Sequence, residues 1–278
     1  MIPQLSERQR ELLQEWMPAA EVVTDHSWGL VGTAVLELHL DGERYIAKAG
    51  DASDGHIARE IRAHREWLAP WTARGRAPRL VNADEEAKLL LTQFLPGVLV
   101  QGTEQEWDPD VYRQAGELLA AFHAQVAVPD GTHEARENQR SLAYLDKKHT
   151  IAPELTERLR SEIESWPTPV ALLVPTHGDW QPRNWLIDRG TVGIIDFGRA
   201  DLRPAVTDFA RLAVQQFTTD PALEPAFFAG YGSDPRDPAT WHRIQLREAI
   251  NTTVWAHQVG DKPFEAQGHR MLAAALRE

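Results

Sequence analysis

The stretch that most constrains how this chain folds lies at residues 176–200 and reads THGDWQPRNWLIDRGTVGIIDFGRA. Two apolar runs of strand length, at residues 185–187 and 192–195, flank a short polar segment that contains an aspartate and a glycine. This pattern predicts a tight β-hairpin. Because a hairpin folds back on itself, we expect the loop before its first strand to lie beside the residue that ends its second strand.

Three oxygen-bearing side chains occupy those positions: Asp179 and Asn184 in the loop, and Asp196 at the end of the hairpin. Mg²⁺ prefers oxygen ligands and usually takes only one or two carboxylates, with phosphate oxygens and water completing its octahedron. Asn184 and Asp196 therefore suit a metal site, which leaves Asp179 free to accept a proton. This division matches phosphoryl transfer in kinases, where one aspartate orients the attacking hydroxyl while an asparagine and a second aspartate hold metal on the nucleotide.

The same residues resemble the paired signature of the aminoglycoside phosphotransferase family, a group of small-molecule kinases with a protein-kinase-like fold. Residues 177–179 with Asn184 are similar to that family's H-G-D-x-x-x-x-N loop, and residues 195–200 are similar to its I-D-F-G-x-A segment. Either motif alone is a weak signal, whereas both in this order around a hairpin are specific. The resemblance implies an α+β fold of two lobes, the first an antiparallel sheet with a helix and the second mostly helical.

The composition is ordinary for a soluble globular protein, with 278 residues of which 42% are hydrophobic and 25% are charged. The absence of cysteine excludes disulfides and thiolate metal sites. A formal net charge of −12 argues against a nucleic-acid partner and suits a cationic small-molecule acceptor, although acidic surfaces also serve solubility. The amino terminus lacks the apolar core of a signal peptide, and no apolar run approaches the roughly 20 residues of a membrane span. We therefore expect a cytoplasmic protein without a membrane partner, and no pattern predicts its oligomeric state.

The first third of the chain has the element order of a kinase amino-terminal lobe: strand, glycine-containing loop, strand, Asp-Gly hairpin, and a strand with a lysine. Gly29 and Gly32 would let backbone amides approach phosphates, although this loop departs from G-x-G-x-x-G and also fits a plain turn. Lys48 resembles the strand lysine that contacts nucleotide phosphates. The family places a glutamate on the next helix to hold this lysine, and Glu60 is our candidate, with Glu66 as its competitor.

A further hairpin pattern ends in a proline–glycine pair, which we interpret as the boundary between an amino-terminal lobe of residues 1–95 and a carboxy-terminal lobe of residues 96–278. In a kinase-like fold, backbone groups of Gln93, Phe94 and Leu95 would hydrogen-bond the purine. The resemblance therefore implies ATP and Mg²⁺ as cofactors. The sequence does not discriminate ATP from GTP.

The second lobe reads as amphipathic helices, among them residues 110–125 and 153–166, with a polar, loop-like segment at residues 129–138. His123 lies on an apolar helix, and we interpret it as a hydrogen-bonded core residue. Asp208 resembles a family aspartate that braces the catalytic loop, which is a structural role.

Two sets of residues in this lobe remain without a unique interpretation. Three tryptophans fit either the core or a substrate pocket, and we favour the core: Trp107, Trp241 and Trp255. Five carboxylates are candidates for binding a cationic acceptor: Asp108, Asp201, Glu224, Glu248 and Asp261.

These patterns predict a Mg²⁺-dependent phosphotransferase that moves the γ-phosphate of a nucleotide to a hydroxyl of an antibiotic, either an aminoglycoside or another cationic compound. Asp179 would position and deprotonate that hydroxyl. One alternative is a metabolic kinase acting on a sugar, an amino acid or an amino alcohol, because acceptor choice resides in the variable helical lobe. Another is a catalytically inactive nucleotide-binding module. A protein kinase is disfavoured by Gly178, since protein kinases have arginine at that position.

Overall fold

The computed structural model describes residues 5–27 and 32–276, and the first part of the chain is an antiparallel sheet flanked by helices. Its elements are α1 (Glu7–Trp16), β1 (Glu21–Asp25), β2 (Thr33–Leu40), β3 (Glu43–Gly50), α2 (His56–Glu66), α3 (Ala69–Thr72), β4 (Leu80–Asp84) and β5 (Leu89–Gln93). The strands lie in the order β1-β2-β3-β5-β4, and all neighbours are antiparallel. This sheet and its helix α2 confirm the architecture predicted for the first lobe.

Local sequence signals account for the boundaries of these elements. α1 begins with a capping box, in which Ser6 Oγ accepts from Gln9 N at 3.2 Å and Gln9 Oε1 accepts from Ser6 N at 2.9 Å. Asp41 and Gly42 have φ angles of 53° and 82°. Positive φ at both central residues is what a two-residue type I′ turn requires, so this pair fixes the β2–β3 hairpin.

The second part of the chain is mostly helical, as predicted. Its elements are β6 (Val98–Leu99), α4 (Pro109–His123), β7 (Val128–Asp130), α5 (His133–Leu145), α6 (Pro153–Ser165), β8 (Ala171–Thr176), β9 (Trp185–Asp188), β10 (Thr191–Ile194), β11 (Asp201–Arg203), α7 (Ala210–Val214), α8 (Gln216–Thr219), α9 (Leu223–Tyr231), α10 (Pro238–Val259) and α11 (Lys262–Ala275). Two three-stranded sheets, β10-β9-β6 and β11-β8-β7, lie among the helices and carry the motif segments.

The larger hydrophobic core lies among the helices of the second part, but it includes side chains from the first. Trp71 on α3 is 1% exposed, and its ring stacks on Phe122 of α4 with 4.4 Å between ring centroids. Its Nε1 donates to the carbonyl of Leu118 at 2.9 Å. We propose that residues 1–95 and 96–278 form the two lobes. Helix α3 of the first lobe contributes Trp71 to the core of the second.

Two expectations about the second lobe are wrong. The polar segment 129–138 is not a loop, because it ends β7 and then forms the first half of α5. Trp107 and Trp255 are not core residues, since they are 40% and 45% exposed. Trp241 is partly buried and packs against the main core. Within residues 5–27 and 32–276, every helix is too short or too polar to cross a bilayer.

Candidate active site

The predicted hairpin is present and brings the two motif segments together. β9 pairs with β10 in antiparallel register, from Trp185 opposite Ile194 to Asp188 opposite Thr191. The amide of Ile195 continues the ladder by donating to the carbonyl of Asn184 at 3.0 Å. The residue before the first strand and the residue after the second strand are therefore neighbours.

The loop before the hairpin is held in place by Asp208, as the sequence predicted. The carboxylate of Asp208 accepts from the amide of His177 at 2.8 Å and from the amide of Gly178 at 2.7 Å. His123 Nε2 lies 3.1 Å from the same carboxylate, while its Nδ1 lies 2.9 Å from the hydroxyl of Tyr231. Burial alone would raise the pKa of Asp208, but these hydrogen bonds lower it. His123 is thus a hydrogen-bonded core residue.

Gly178 occupies a position where only glycine fits. Its φ angle is +77°, and a Cβ atom at this position would lie 2.4 Å from the carbonyl oxygen of Arg199. The arginine that protein kinases carry here has no space. This close approach also places the catalytic loop against the segment that follows Asp196.

The segment after the hairpin is held by hydrogen bonds from α2 and by pairing of β11 with β8. The carbonyl of Gly198 accepts from Arg59 Nε at 2.9 Å and lies 3.0 Å from Nδ1 of His56, both on α2. β11 then begins at Asp201, which lies opposite Thr176 of β8. Only residues 199 and 200 separate this glycine from the next sheet.

Asp179 is buried and surrounded by donors. Its Oδ1 accepts from Gln181 Nε2 at 2.5 Å and lies 3.3 Å from Arg211 Nε. Its Oδ2 accepts from Arg183 at 2.6 Å and from Asn184 Nδ2 at 3.0 Å. Burial alone would raise the pKa of Asp179, but the nearby guanidinium groups outweigh burial and hold the pKa well below its usual range. Asp179 is therefore a carboxylate at any physiological pH.

Asn184 and Asp196 have the donor chemistry of a Mg²⁺ site. The amide nitrogen of Asn184 donates to the carbonyl and the carboxylate of Asp179, which leaves its own oxygen for another partner. Asp196 has a φ angle of 65°, a strained conformation for a residue with a side chain, and its side chain is 52% exposed. Within residues 5–27 and 32–276 no three His, Cys, Asp or Glu side chains group as a metal site. Two protein oxygens fit Mg²⁺, which takes its other ligands from phosphate and water.

Lys48 connects the two lobes at this point. Its Nζ lies 2.7 Å from Glu60 Oε1 and 3.5 Å from Asp196 Oδ1. Burial alone would lower the pKa of Lys48, but the two carboxylates outweigh burial and raise it, so the ammonium group stays charged. Glu66, the competing candidate, lies exposed at the end of α2. The structure therefore pairs Lys48 with Glu60, and the phosphate-binding role of this pair remains a prediction.

The amides of two of the three predicted purine-binding residues have partners in the sheet. The amide of Gln93 donates to the carbonyl of Arg79 at 2.8 Å, and the amide of Phe94 donates to the carbonyl of Arg44 at 2.9 Å. Leu95 packs over Gly193 of β10, in the motif hairpin. Purine binding by backbone groups of Gln93, Phe94 and Leu95 remains a prediction.

Of the two glycines predicted to contact phosphate, only Gly32 lies within the described residues. Gly29 lies outside the described residues. The carbonyl of Gly32 accepts from the amide of Asp51 at 3.0 Å, and a Cβ atom on Gly32 would lie 1.8 Å from the carboxylate of Asp51. Glycine is thus required there by packing against the segment that follows β3. Its contact with phosphate remains a prediction.

Three arginines near Asp179 were missed by the sequence reasoning: Arg183, Arg199 and Arg211. Two of them stand inside the motif stretch, so their presence was a readable signal. Of the five acidic acceptor candidates, Glu248 lies closest to the site, with its Oε1 3.6 Å from Arg211. The other four have local partners: Asp108 and Asp261 cap helices, Asp201 pairs with Arg62, and Glu224 pairs with Arg236.

Sequence comparison identifies a matching family and a relative of this chain. The model of the phosphotransferase enzyme family matches residues 29–247. An aminoglycoside 3'-phosphotransferase from Streptomyces fradiae is 32% identical over 172 residues, covering 54% of this chain and 62% of that protein. The chain thus matches less than two thirds of the length of this relative.

Solved structures with the same fold include several small-molecule kinases. The aminoglycoside phosphotransferase APH(4)-Ia, as a thermostable mutant in ternary complex with ADP and hygromycin B, superposes with a TM-score of 0.67 at 14% identity, covering 98% of each chain. The choline kinase LicA from Streptococcus pneumoniae gives 0.67 at 14% identity and also covers 98% of each chain. A macrolide 2'-phosphotransferase type I gives 0.61 at 20% identity, covering 96% of this chain and 98% of that one. These likenesses confirm the two-lobed, protein-kinase-like α+β fold.

Proposed function

Since the chain belongs to the phosphotransferase enzyme family, we propose that it transfers the γ-phosphate of a nucleoside triphosphate to a hydroxyl group of a small molecule in a Mg²⁺-dependent reaction. The observation that carries this proposal is the convergence of three side chains below Lys48. Asn184 donates to Asp179 at 3.0 Å, and Asp196 lies 3.5 Å from the lysine ammonium. The groups proposed as base, metal ligands and phosphate-binding cation therefore lie close together.

Each side chain has a defined part in this reaction. Lys48, held by Glu60, binds phosphate oxygens, while Asn184 and Asp196 would hold Mg²⁺. When bound, the metal neutralises charge that develops on the phosphates. Asp179 accepts a hydrogen bond from the attacking hydroxyl and aligns it with the phosphorus. Because its pKa is depressed, Asp179 contributes more by orientation than by early proton removal.

The acceptor class is proposed on two grounds. An aminoglycoside or another cationic antibiotic is supported by the 32% identity to the Streptomyces fradiae enzyme and by the net charge of −12. A metabolic acceptor such as a sugar, an amino acid or an amino alcohol is the second candidate. It is supported by the arginines beside Asp179, because guanidinium groups repel a cationic acceptor at the reacting hydroxyl.

Two substitutions separate the predicted roles of the carboxylates. Asp179→Asn should reduce kcat by about 10²–10⁴-fold while leaving Mg²⁺-dependent nucleotide affinity unchanged, because the base does not contact the metal. Asp196→Asn should instead weaken nucleotide binding and abolish its dependence on Mg²⁺. Nucleotide affinity is measured by calorimetry with and without Mg²⁺, and turnover by γ-phosphate transfer across aminoglycosides, macrolides, peptide antibiotics and common metabolites.

Asp188→Asn, an exposed aspartate in the turn of the same hairpin, serves as the matched control and should change neither quantity. Full activity of the Asp179→Asn enzyme would contradict the assignment of the base. Tight Mg²⁺–nucleotide binding without transfer to any acceptor would favour an inactive nucleotide-binding module.

A further inference from the structure

The charge around Asp179 has the opposite sign to the charge of the whole chain. Arg183 belongs to the loop that carries Asp179, Arg199 lies in the second motif, and Arg211 lies on α7. All three guanidinium groups act on the carboxylate of Asp179. The chain as a whole carries a formal net charge of −12. The net charge of the chain therefore does not explain why three arginines lie around Asp179.

Two of the three arginines contact carboxylates. Arg183 lies 2.6 Å from Asp179. Arg211 lies 3.3 Å from Asp179 and 3.6 Å from Glu248. Both guanidinium groups therefore already have partners.

Arg199 is the arginine that lacks a partner. Among residues 5–27 and 32–276, no carboxylate or other acceptor lies within hydrogen-bond or ion-pair distance of its guanidinium group, and the residue is exposed. Its backbone carbonyl lies against Gly178, the residue before Asp179, and its positive charge helps to lower the pKa of Asp179. An accessible guanidinium beside the base, with donors still free, can bind an incoming anion.

The nucleotide does not account for this cluster. The proposed phosphate ligands are Lys48 on the first lobe and the metal held by Asn184 and Asp196. Arg183 and Arg211 contact Asp179, which is the group that faces the acceptor in phosphoryl transfer. The arginine cluster thus lies beside the group that is proposed to face the acceptor.

We propose that Arg199, which lies beside the paired Arg183 and Arg211, provides an anion-binding subsite for the acceptor, so that the preferred acceptor carries a carboxylate or a phosphate close to the hydroxyl that is phosphorylated. This inference rests on the phosphotransfer function proposed above and specifies its substrate class. Guanidinium groups suit this task because their planar forks bind carboxylate and phosphate oxygens through paired hydrogen bonds.

The first test measures anion binding without turnover. The protein is saturated with Mg²⁺ and the non-hydrolysable nucleotide AMP-PNP, so that the phosphate site is filled, and sulfate is titrated at constant ionic strength by calorimetry. Arg199→Ala should weaken sulfate binding on the order of 10- to 100-fold, as expected for loss of a charged hydrogen bond. Arg136→Ala, which removes an exposed arginine on α5, should leave sulfate binding unchanged. If Arg199→Ala weakens AMP-PNP and leaves sulfate binding unchanged, the cluster serves the nucleotide and the proposal is overturned.

The second test compares acceptors that share a ring and carry different charges. D-glucuronate has a carboxylate at C6, D-glucose is neutral and D-glucosamine has an ammonium at C2, and further acid, neutral and amino triplets extend the panel. The anionic member should give the highest kcat/KM, and Arg199→Glu should shift the preference towards the cationic member. A wild-type preference for cationic acceptors that Arg199→Glu leaves unaltered would overturn the anion subsite while leaving the phosphotransfer function intact. Sulfate binding that depends on Arg199, with no transfer to any acceptor, would instead support the subsite and contradict the proposed function.

Discussion

Asp179 combines burial with an unusually cationic environment, and these two influences oppose each other. Burial in a low-dielectric site disfavours the charged carboxylate and raises its pKa, whereas Arg211 and Arg183 favour the charged form. The arginines dominate, so the carboxyl group of Asp179 is ionised at neutral pH. Its proton affinity is therefore set by neighbouring side chains that can be replaced one at a time.

The pH dependence of turnover should reveal this balance. In the wild-type enzyme, the acidic limb of kcat/KM that belongs to Asp179 should lie below the pH at which the protein unfolds. The double variant Arg183→Gln/Arg211→Gln removes two positive charges that oppose the effect of burial on Asp179. The pKa of Asp179 should therefore rise, and the acidic limb of kcat/KM should move up into the measurable pH range. The measurement is kcat/KM from pH 4.5 to 8, and Arg136→Gln should keep the wild-type profile. An unchanged profile in the double variant would show that these arginines do not control the base.

The sequence alone identified the candidate site residues that belong to short local motifs. Asp179, Asn184 and Asp196 stand around a hairpin that could be read directly, and Lys48 stands in a strand at the expected place. The arginine cluster was not predicted, because Arg211 reaches Asp179 from a helix 32 residues further along the chain. Convergence of that kind depends on how α7 packs, which no local pattern encodes.

Asp208 links the segment before α7 to the loop that follows β8. It lies in the turn before α7, and its buried carboxylate accepts the amides of His177 and Gly178 at the end of β8. Two backbone donors of the catalytic loop would otherwise be buried without partners. Leaving a buried donor unsatisfied costs about 1–3 kcal/mol.

Replacement of Asp208 should affect stability and catalysis together. Asp208→Asn puts an amide group where donors converge, so we expect the free energy of unfolding to fall by about 1–3 kcal/mol and kcat to fall while nucleotide affinity persists. Denaturant unfolding and steady-state kinetics give the two quantities. Asp237→Asn is the matched control, because asparagine caps α10 as well as aspartate does, and its effect should stay within about 0.5 kcal/mol. A fall in kcat without any loss of stability would contradict a bracing role.

The segment 129–138 shows where element-scale prediction failed and why. Its polar composition suggested a loop, yet it enters α5 and buries Glu134 and Asn138. Both of these side chains accept hydrogen bonds from Arg247 of α10, at 2.8 Å and 2.5 Å respectively. A helix that buries a polar face against a distant arginine lacks the apolar periodicity on which the sequence interpretation depends.

At the scale of the whole molecule, the two proposed lobes share one core. Trp71 comes from the amino-terminal lobe but packs between Phe122 and Trp180 of the other, with ring centroids 4.4 Å and 5.7 Å away. The lobes should consequently unfold in a single transition.

Truncation of this side chain tests that expectation. Trp71→Ala should lower the free energy of unfolding by about 3–5 kcal/mol, because it removes a fully buried ring and leaves a cavity. Trp107→Ala, at a tryptophan that is 40% exposed, should cost much less. Urea unfolding followed by circular dichroism measures both variants. Two separate transitions in the wild-type protein would show that the lobes are energetically independent.

The short connection after Gly198 has a consequence for control of the enzyme. Protein kinases commonly place a long segment here, and phosphorylation orders it and switches activity on. In this chain, α2 holds the glycine carbonyl from Arg59, and β11 starts after only two intervening residues. A connection of two residues is too short to change between an inactive and an active conformation. We therefore expect the protein to be active without phosphorylation of this connection.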